Sequence, residues 1–271
     1  MSEVITPSRT RRWRDGLTAS ASQLGVLAAC VLLWQLATLG ARSPFFPTPV
    51  RIVTEMWQLW FSGDVGTLFL TEAAFEDVLP SVGRLLLGWL LAALVGIVLG
   101  MLLGRSGNAL AYVGPLLSFA RSIPPPALLP VFMVLFSIGF TLQLVTITFG
   151  CLWPVLLNSA DGARSVDPVK AETARAFGIS RAHWFVSVVL PAALPKIFAG
   201  LRISLSLALI MMVISELVGA SNGLGHAMML ARDQFDYERL WGGIVLLGIL
   251  GYLLNTALSA VERGVLRAVP R

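Results

Sequence analysis

No residue between Arg121 and Asp161 carries a charge. A helix crosses the roughly 30 Å hydrocarbon core of a bilayer with about 20 apolar residues, so this stretch has room for two crossings. Between them the segment SIGFT, Ser137 to Thr141, suits a tight turn. In lipid a backbone has to satisfy its own hydrogen bonds, which selects helices for spans of this kind. The rest of the chain agrees, with 56% of its 271 residues hydrophobic and 13% charged, far oilier than a soluble domain of this size. The expected fold class is all-α, a polytopic membrane protein.

Charge and cysteines exclude other classes. The net charge of +5 is carried mostly by residues at the ends of apolar runs, which records topology rather than a nucleic-acid surface. Cys30 and Cys151 lie inside apolar runs without nearby partners, so they make neither a disulfide framework nor a metal site. The two histidines, His183 and His226, are read as loop residues, and no H-E-x-x-H or serine-plus-base arrangement is present.

About six transmembrane helices are expected. Arg9, Arg11, Arg12 and Arg14 precede a first anchor over 23–41, which makes 1–22 a cytoplasmic tail. The segment 42–78 holds Arg42 and Arg51 against Glu55, Asp64, Glu72, Glu76 and Asp77, and its FFPTPVRIVTEMWQLWF stretch has amphipathic spacing. It reads as an external loop with an interfacial helix. A permease-like core of five spans over 79–262 follows, then a cytoplasmic tail over 263–271 with Arg263, Arg267 and Arg271. The second span, bounded by Arg84 and Arg105, repeats Gly88, Ala92, Gly96, Gly100 and Gly104 at every fourth position, one small-residue face for helix packing. The third runs into Pro124, Pro125, Pro126 and Pro130, where regular helix has to break, and such backbone survives at membrane depth only against protein or a water-filled cavity. The fifth is expected from about Pro195 to Val218 and the sixth from Leu240 to Leu258. Both termini then face the cytoplasm. No long internal repeat is visible, so a symmetric pathway needs two chains.

Between the fourth and fifth spans the oily pattern stops. In 161–191, Asp167 and Pro168 form an N-cap and first helical position, and a short helix runs to a glycine corner at Gly178. Ser180 caps a second helix, Arg181 to Val189, which Pro191 and Pro195 are expected to end. An amphipathic loop on lipid headgroups is one reading of this pair.

The spacing supports another. Glu172, Thr173, Ala174, Gly178, Val188, Leu190 and Pro191 resemble the cytoplasmic EAA...G.........I.LP signature of the membrane subunits of bacterial ATP-binding cassette importers, with Thr173 in place of Ala and Val188 in place of Ile. SIPPPALLPVFMVLFSIG, FGCLWPVLLNSADGARSVD, VVLPAALPKIFAGLRISLS and SELVGASNGLGHAM look like successive blocks of the sulfonate, taurine and nitrate branch of these permeases. The likeness covers most of the chain from Ser81 onward. Two departures bear on the solute: LFSIG stands where WFGIG is frequent, and Leu and Ala stand where the fifth span often has Trp.

The resemblance implies a transport subunit of the bacterial cytoplasmic membrane rather than an enzyme. Its partners would be a second copy of itself, two cytoplasmic ATPase subunits, an external solute-binding protein and the lipid bilayer. ATP and Mg would sit on the ATPase, since this chain has no G-x-x-x-x-G-K-[ST] loop around its only lysines, Lys170 and Lys196. A cytoplasmic coupling helix pair would seat in an ATPase groove through Ala174, Ala176 and Phe177, oriented by Glu172, Arg175 and Arg181, with Thr173, Gly178, Leu190 and Pro191 completing the motif. Pathway candidates are the Pro124 to Pro130 bend, Ser204 and Ser206, and the ionisable Arg84, Arg202 and Glu216. Arg84 and Arg202 are the cations judged best placed to meet an anion; snorkelling to an interface and an Arg84–Glu216 ion pair are the other readings. The expected solute is a sulfonate, taurine or nitrate-like anion. The alternatives are a neutral heterocycle such as a vitamin precursor in the same importer class, or an ion-coupled secondary transporter, for which only Glu216 could serve as the buried carboxylate.

Overall fold

The computed structural model describes the backbone of residues 9–41 and 43–268. Arg42, Arg271 and the side chains of Arg9, Arg11, Arg12 and Arg14, which entered the orientation argument, lie outside the described residues. Every regular element within them is helical. In order these are α1 (Arg9–Ala41), α2 (Pro49–Trp60), α3 (Leu79–Arg105), α4 (Gly107–Ser122), α5 (Leu129–Phe136), α6 (Phe140–Arg164), α7 (Pro168–Ala176), α8 (Arg181–Trp184), α9 (Leu190–Gly219), α10 (Leu224–Asp233) and α11 (Tyr237–Ala268).

Four unbroken helices are long and apolar enough to span a bilayer: Ala74–Arg105, Phe140–Arg164, Arg181–Gly219 and Tyr237–Ala268. The helices α4 and α5, bent by 81° across the proline cluster, make a fifth crossing when counted together. In α1 the stretch Gly25–Ala41, where the described side chains begin, is also apolar, and the expected six spans are matched roughly.

Small residues decide the packing of the centre, where α6 lies between α3 and α9. A Cβ added at Gly96 would come within 2.9 Å of the Val155 side chain, and one at Gly100 within 2.4 Å of the Leu156 carbonyl oxygen. Gly88 meets Ile147, Gly104 meets the backbone of Ala160, and Ala92 is fully buried. On the other side of α6, Gly162 and Gly200 bring α9 as close, against Ala193 and the Pro154 carbonyl. The opposite face of α3 exposes Leu87, Leu90, Leu94 and Val98, a surface made for hydrocarbon. A second cluster holds α2, whose Ile52, Met56 and Trp60 recur every four residues and are buried with Leu224 and Leu246.

Two prolines expected to stop a helix do not. Pro191 and Pro195 sit inside one helix running from Arg181 to Gly219, because a π turn at Phe185–Val189 widens the backbone just ahead of Pro191. The amide of Leu190 bonds back five residues to the Phe185 carbonyl, so the register has already shifted where Pro191 brings no N–H. The same device precedes Pro80, where a π turn at Ala74–Val78 leads into α3. The second span therefore begins well before Arg84. The sixth span likewise exceeds the expected Leu240 to Leu258, and Arg263 and Arg267 belong to α11 rather than to a tail. His183 lies in α8 and His226 in α10, not in loops.

Candidate functional site

Three places concentrate the polar chemistry. The first is the loop between α6 and α9. Asp167 caps α7 by accepting from the Val169 amide at 2.8 Å, and Ser180 caps α8 by accepting from the His183 amide at 3.3 Å. Between them the chain turns by a Schellman motif: Ile179 N donates to Ala174 O at 3.0 Å and Gly178 N to Arg175 O at 3.1 Å. This places Gly178 at φ +68°, with open space where a Cβ would be. The corner thrusts Phe177 outward, 80% exposed, while Ala174 turns inward at 6%. Ala174 therefore packs its own chain and offers little to a partner. Glu172, Thr173, Arg175, Ala176 and Arg181 are exposed; Leu190 and Pro191 are half-buried at the start of α9.

The second place is a buried ion pair at the opposite end of α9. Glu216 has no exposure. Its carboxylate accepts from Arg84 at 2.8 Å, from the Ser81 hydroxyl at 2.7 Å and from the Gly225 amide at 2.9 Å. The Arg84 guanidinium also donates to the side chain and backbone carbonyl of Asn222. Gly223, at φ +110°, packs on the carboxylate so closely that a Cβ would lie 2.7 Å from it. The pair thus ties α3 and α9 to the turn before α10. Ser81 and Asn222 were not among the sequence candidates; one is a small polar residue next to Pro80, the other part of SNGLG, and neither signals a partner by spacing.

The third place is a cavity of about 480 Å³ under the proline bend, lined by Arg121, Pro125, Trp153, Asn158, Leu207 and Met211 among others. Of the proline candidates Pro125 alone lines it; Pro124 and Pro130 are exposed and Pro126 is half-buried. Neither expected arginine reaches it. Arg84 is held as described, and Arg202 pairs with Glu262 on a groove between α9 and α11. Ser204 is buried, accepting from the Trp89 indole at 2.8 Å, and Ser206 is exposed. Arg121 entered the sequence reading only as the border of the charge-free stretch, so its place beside a cavity was missed. Among the described residues no cluster of His, Cys, Asp and Glu could hold a metal.

Residues 92–269 match the family described as binding-protein-dependent transport system inner membrane component. Over 94% of this chain and 93% of its relative, 32% of residues are identical to the taurine transport system permease protein TauC of Escherichia coli (strain K12). The chain belongs to this permease family. It is the membrane permease subunit of an ATP-binding cassette importer. The putative aliphatic sulfonates transport permease protein SsuC of Bacillus subtilis (strain 168) is also 32% identical to the permease, over 96% of this chain and 90% of that one. Among solved structures, an inward-facing MetNI methionine ABC transporter chain shares the fold, with a TM-score of 0.59 at 24% identity over 72% of the permease and 95% of that chain.

Proposed function

We propose that the permease works as a homodimer in the bacterial cytoplasmic membrane, with both termini cytoplasmic. It would carry a small sulfonate- or nitrate-like anion received from an external binding protein, driven by ATP that a partner ATPase hydrolyses. The taurine and sulfonate relatives and the nitrate import permease protein NrtB of Leptolyngbya laminosa, 28% identical over 99% of this chain, support the solute class.

The observation that carries the coupling role is Phe177, an aromatic ring left 80% exposed by a well-built glycine corner. A ring so placed, beside the charges of Glu172, Arg175 and Arg181, has the character of an anchor for a groove on another protein. The domain division proposed with it is tail 1–22, anchor 23–41, external loop 42–78 and permease core 79–262 with coupling loop 161–191. An ion-coupled carrier is less well supported, because Glu216, the carboxylate it would use, already has its charge balanced by Arg84.

Co-expression with the ATPase tests this reading. The complex should purify with one ATPase per permease and, with its binding protein on the opposite face, move taurine or nitrate across liposome membranes only when ATP is supplied on the ATPase side. Phe177→Ala should lower recovery of the ATPase at least fivefold while leaving the permease folded. Uptake driven by an ion gradient without ATPase would overturn it.

A further inference from the structure

We propose that the cavity under the proline bend is a binding site for a small oxyanion, with Arg121 as its charged group. This rests on the anion-importer reading and names the place where the solute meets the chain.

Arg121 lies in the last turn of α4, next to the 81° bend. A rise of 1.5 Å per residue puts it about 21 Å along α4 from the end that adjoins Arg105. Gly150 faces Pro125 across the cavity, a Cβ there lying 3.7 Å from the proline, and it sits about 15 Å into α6. Arg121 is therefore at the end of α4 opposite Arg105, beside the bend. Among the described residues it has no ion pair and no hydrogen bond, whereas Arg84 and Arg202 have carboxylate partners.

The lining has one sign. No carboxylate borders the cavity. Trp153 shares the lining with Arg121, and its indole N–H is buried without an acceptor; this group can only donate, so a turn of the ring toward an oxyanion gains it a hydrogen bond. Asn158 donates to the Pro154 carbonyl at 2.8 Å, which leaves its second amide hydrogen free. Ile203, Leu207 and Met211 close the remaining wall. Arg121 is exposed, so its guanidinium keeps its charge, and an oxyanion of sulfonate or nitrate shape matches its planar fork of donors. A cation gains nothing there.

Leu157 also lines the cavity, so a reporter thiol can be placed at its wall. In the permease–ATPase complex in lipid nanodiscs, with Cys30→Ala and Cys151→Ala, and each rate taken relative to the same reagent's rate with free 2-mercaptoethanol, Leu157→Cys should react at least tenfold faster with 2-sulfonatoethyl methanethiosulfonate than with its trimethylammonium counterpart. Arg121→Gln should bring the ratio near one and Arg121→Lys should preserve it. Millimolar taurine or nitrate should slow the labelling, and urea should not. Equal rates in the parent, a ratio indifferent to Arg121→Gln, or a thiol inert to both reagents would overturn the site; the parent comparison holds even if Arg121→Gln fails to assemble. The labelling needs neither ATP nor transport. Anion preference here with uptake of an uncharged solute would count against the proposed solute, and anion uptake without this preference would count against the site.

Discussion

Glu216 keeps a carboxylate out of water by surrounding it with donors: Arg84, the Ser81 hydroxyl and the Gly225 amide. Removing one partner of such a pair leaves the other buried and uncompensated, at a cost of about 3–5 kcal/mol. Arg84→Gln should therefore lower the thermal stability of the complex and its yield, a defect of folding rather than of solute recognition. Arg202→Gln touches an exposed pair and should leave the unfolding temperature nearly unchanged. The sequence made Arg84 and Glu216 visible because charge is rare in apolar spans, but it gave no means to choose among their roles; the choice needs the distance across three helices. At Gly178 the signal was local and complete, a glycine ten residues after the proline that starts a helix. Its φ of +68° with open space at the Cβ position makes the penalty purely one of backbone. Gly178→Val should cost on the order of 1 kcal/mol or more and uncouple ATP hydrolysis from uptake, whereas Gly178→Asn, which tolerates that region, should retain most uptake.

The small-residue stripe of α3 shows how far periodicity carries. Spacing by four marks a close helix contact, yet it does not name the neighbour, and only the fold identifies α6. Gly96→Leu drives a side chain into Val155 and the Leu156 amide, so it should abolish assembly as read by size-exclusion chromatography, while Leu94→Ala on the exposed face should not. The π turns were beyond reach, since the sequence shows a proline and not the widened turn that admits it. In α2 the amphipathic pattern was legible, but the electrostatics come from elsewhere in the chain. Burial on α2 and then the charges of Asp236 and Glu238 push the Glu55 carboxyl above its ordinary 4.5. The folded state consequently holds that proton more tightly than the unfolded chain. Stability should rise as pH falls from neutral through the raised value, level off below 4.5 and be lower at neutral pH. Glu55→Gln should remove this rise from the pH dependence of the unfolding temperature.

At the scale of the whole molecule, the proposed homodimer would supply the second half of a two-fold pathway, since the sequence shows no long internal repeat. Native mass spectrometry of the complex should give two permeases and two ATPases, and a single permease would reject that arrangement. Solute identity was the least legible property in the sequence. In the proposed site it would depend on a few side chains around a bend whose geometry no periodicity encodes, and Arg121 passed unnoticed there. The unbroken helix from Arg181 to Gly219, 39 residues, has a mechanical meaning. At 1.5 Å per residue it is a rod about 58 Å long, and a tilt of about 5° about its middle swings each end through about 2.5 Å. The Phe177 corner adjoins one end and the Glu216 ion pair sits at the other, so under the proposed coupling a push on the first would arrive at the second as leverage, with no relay of side chains in between.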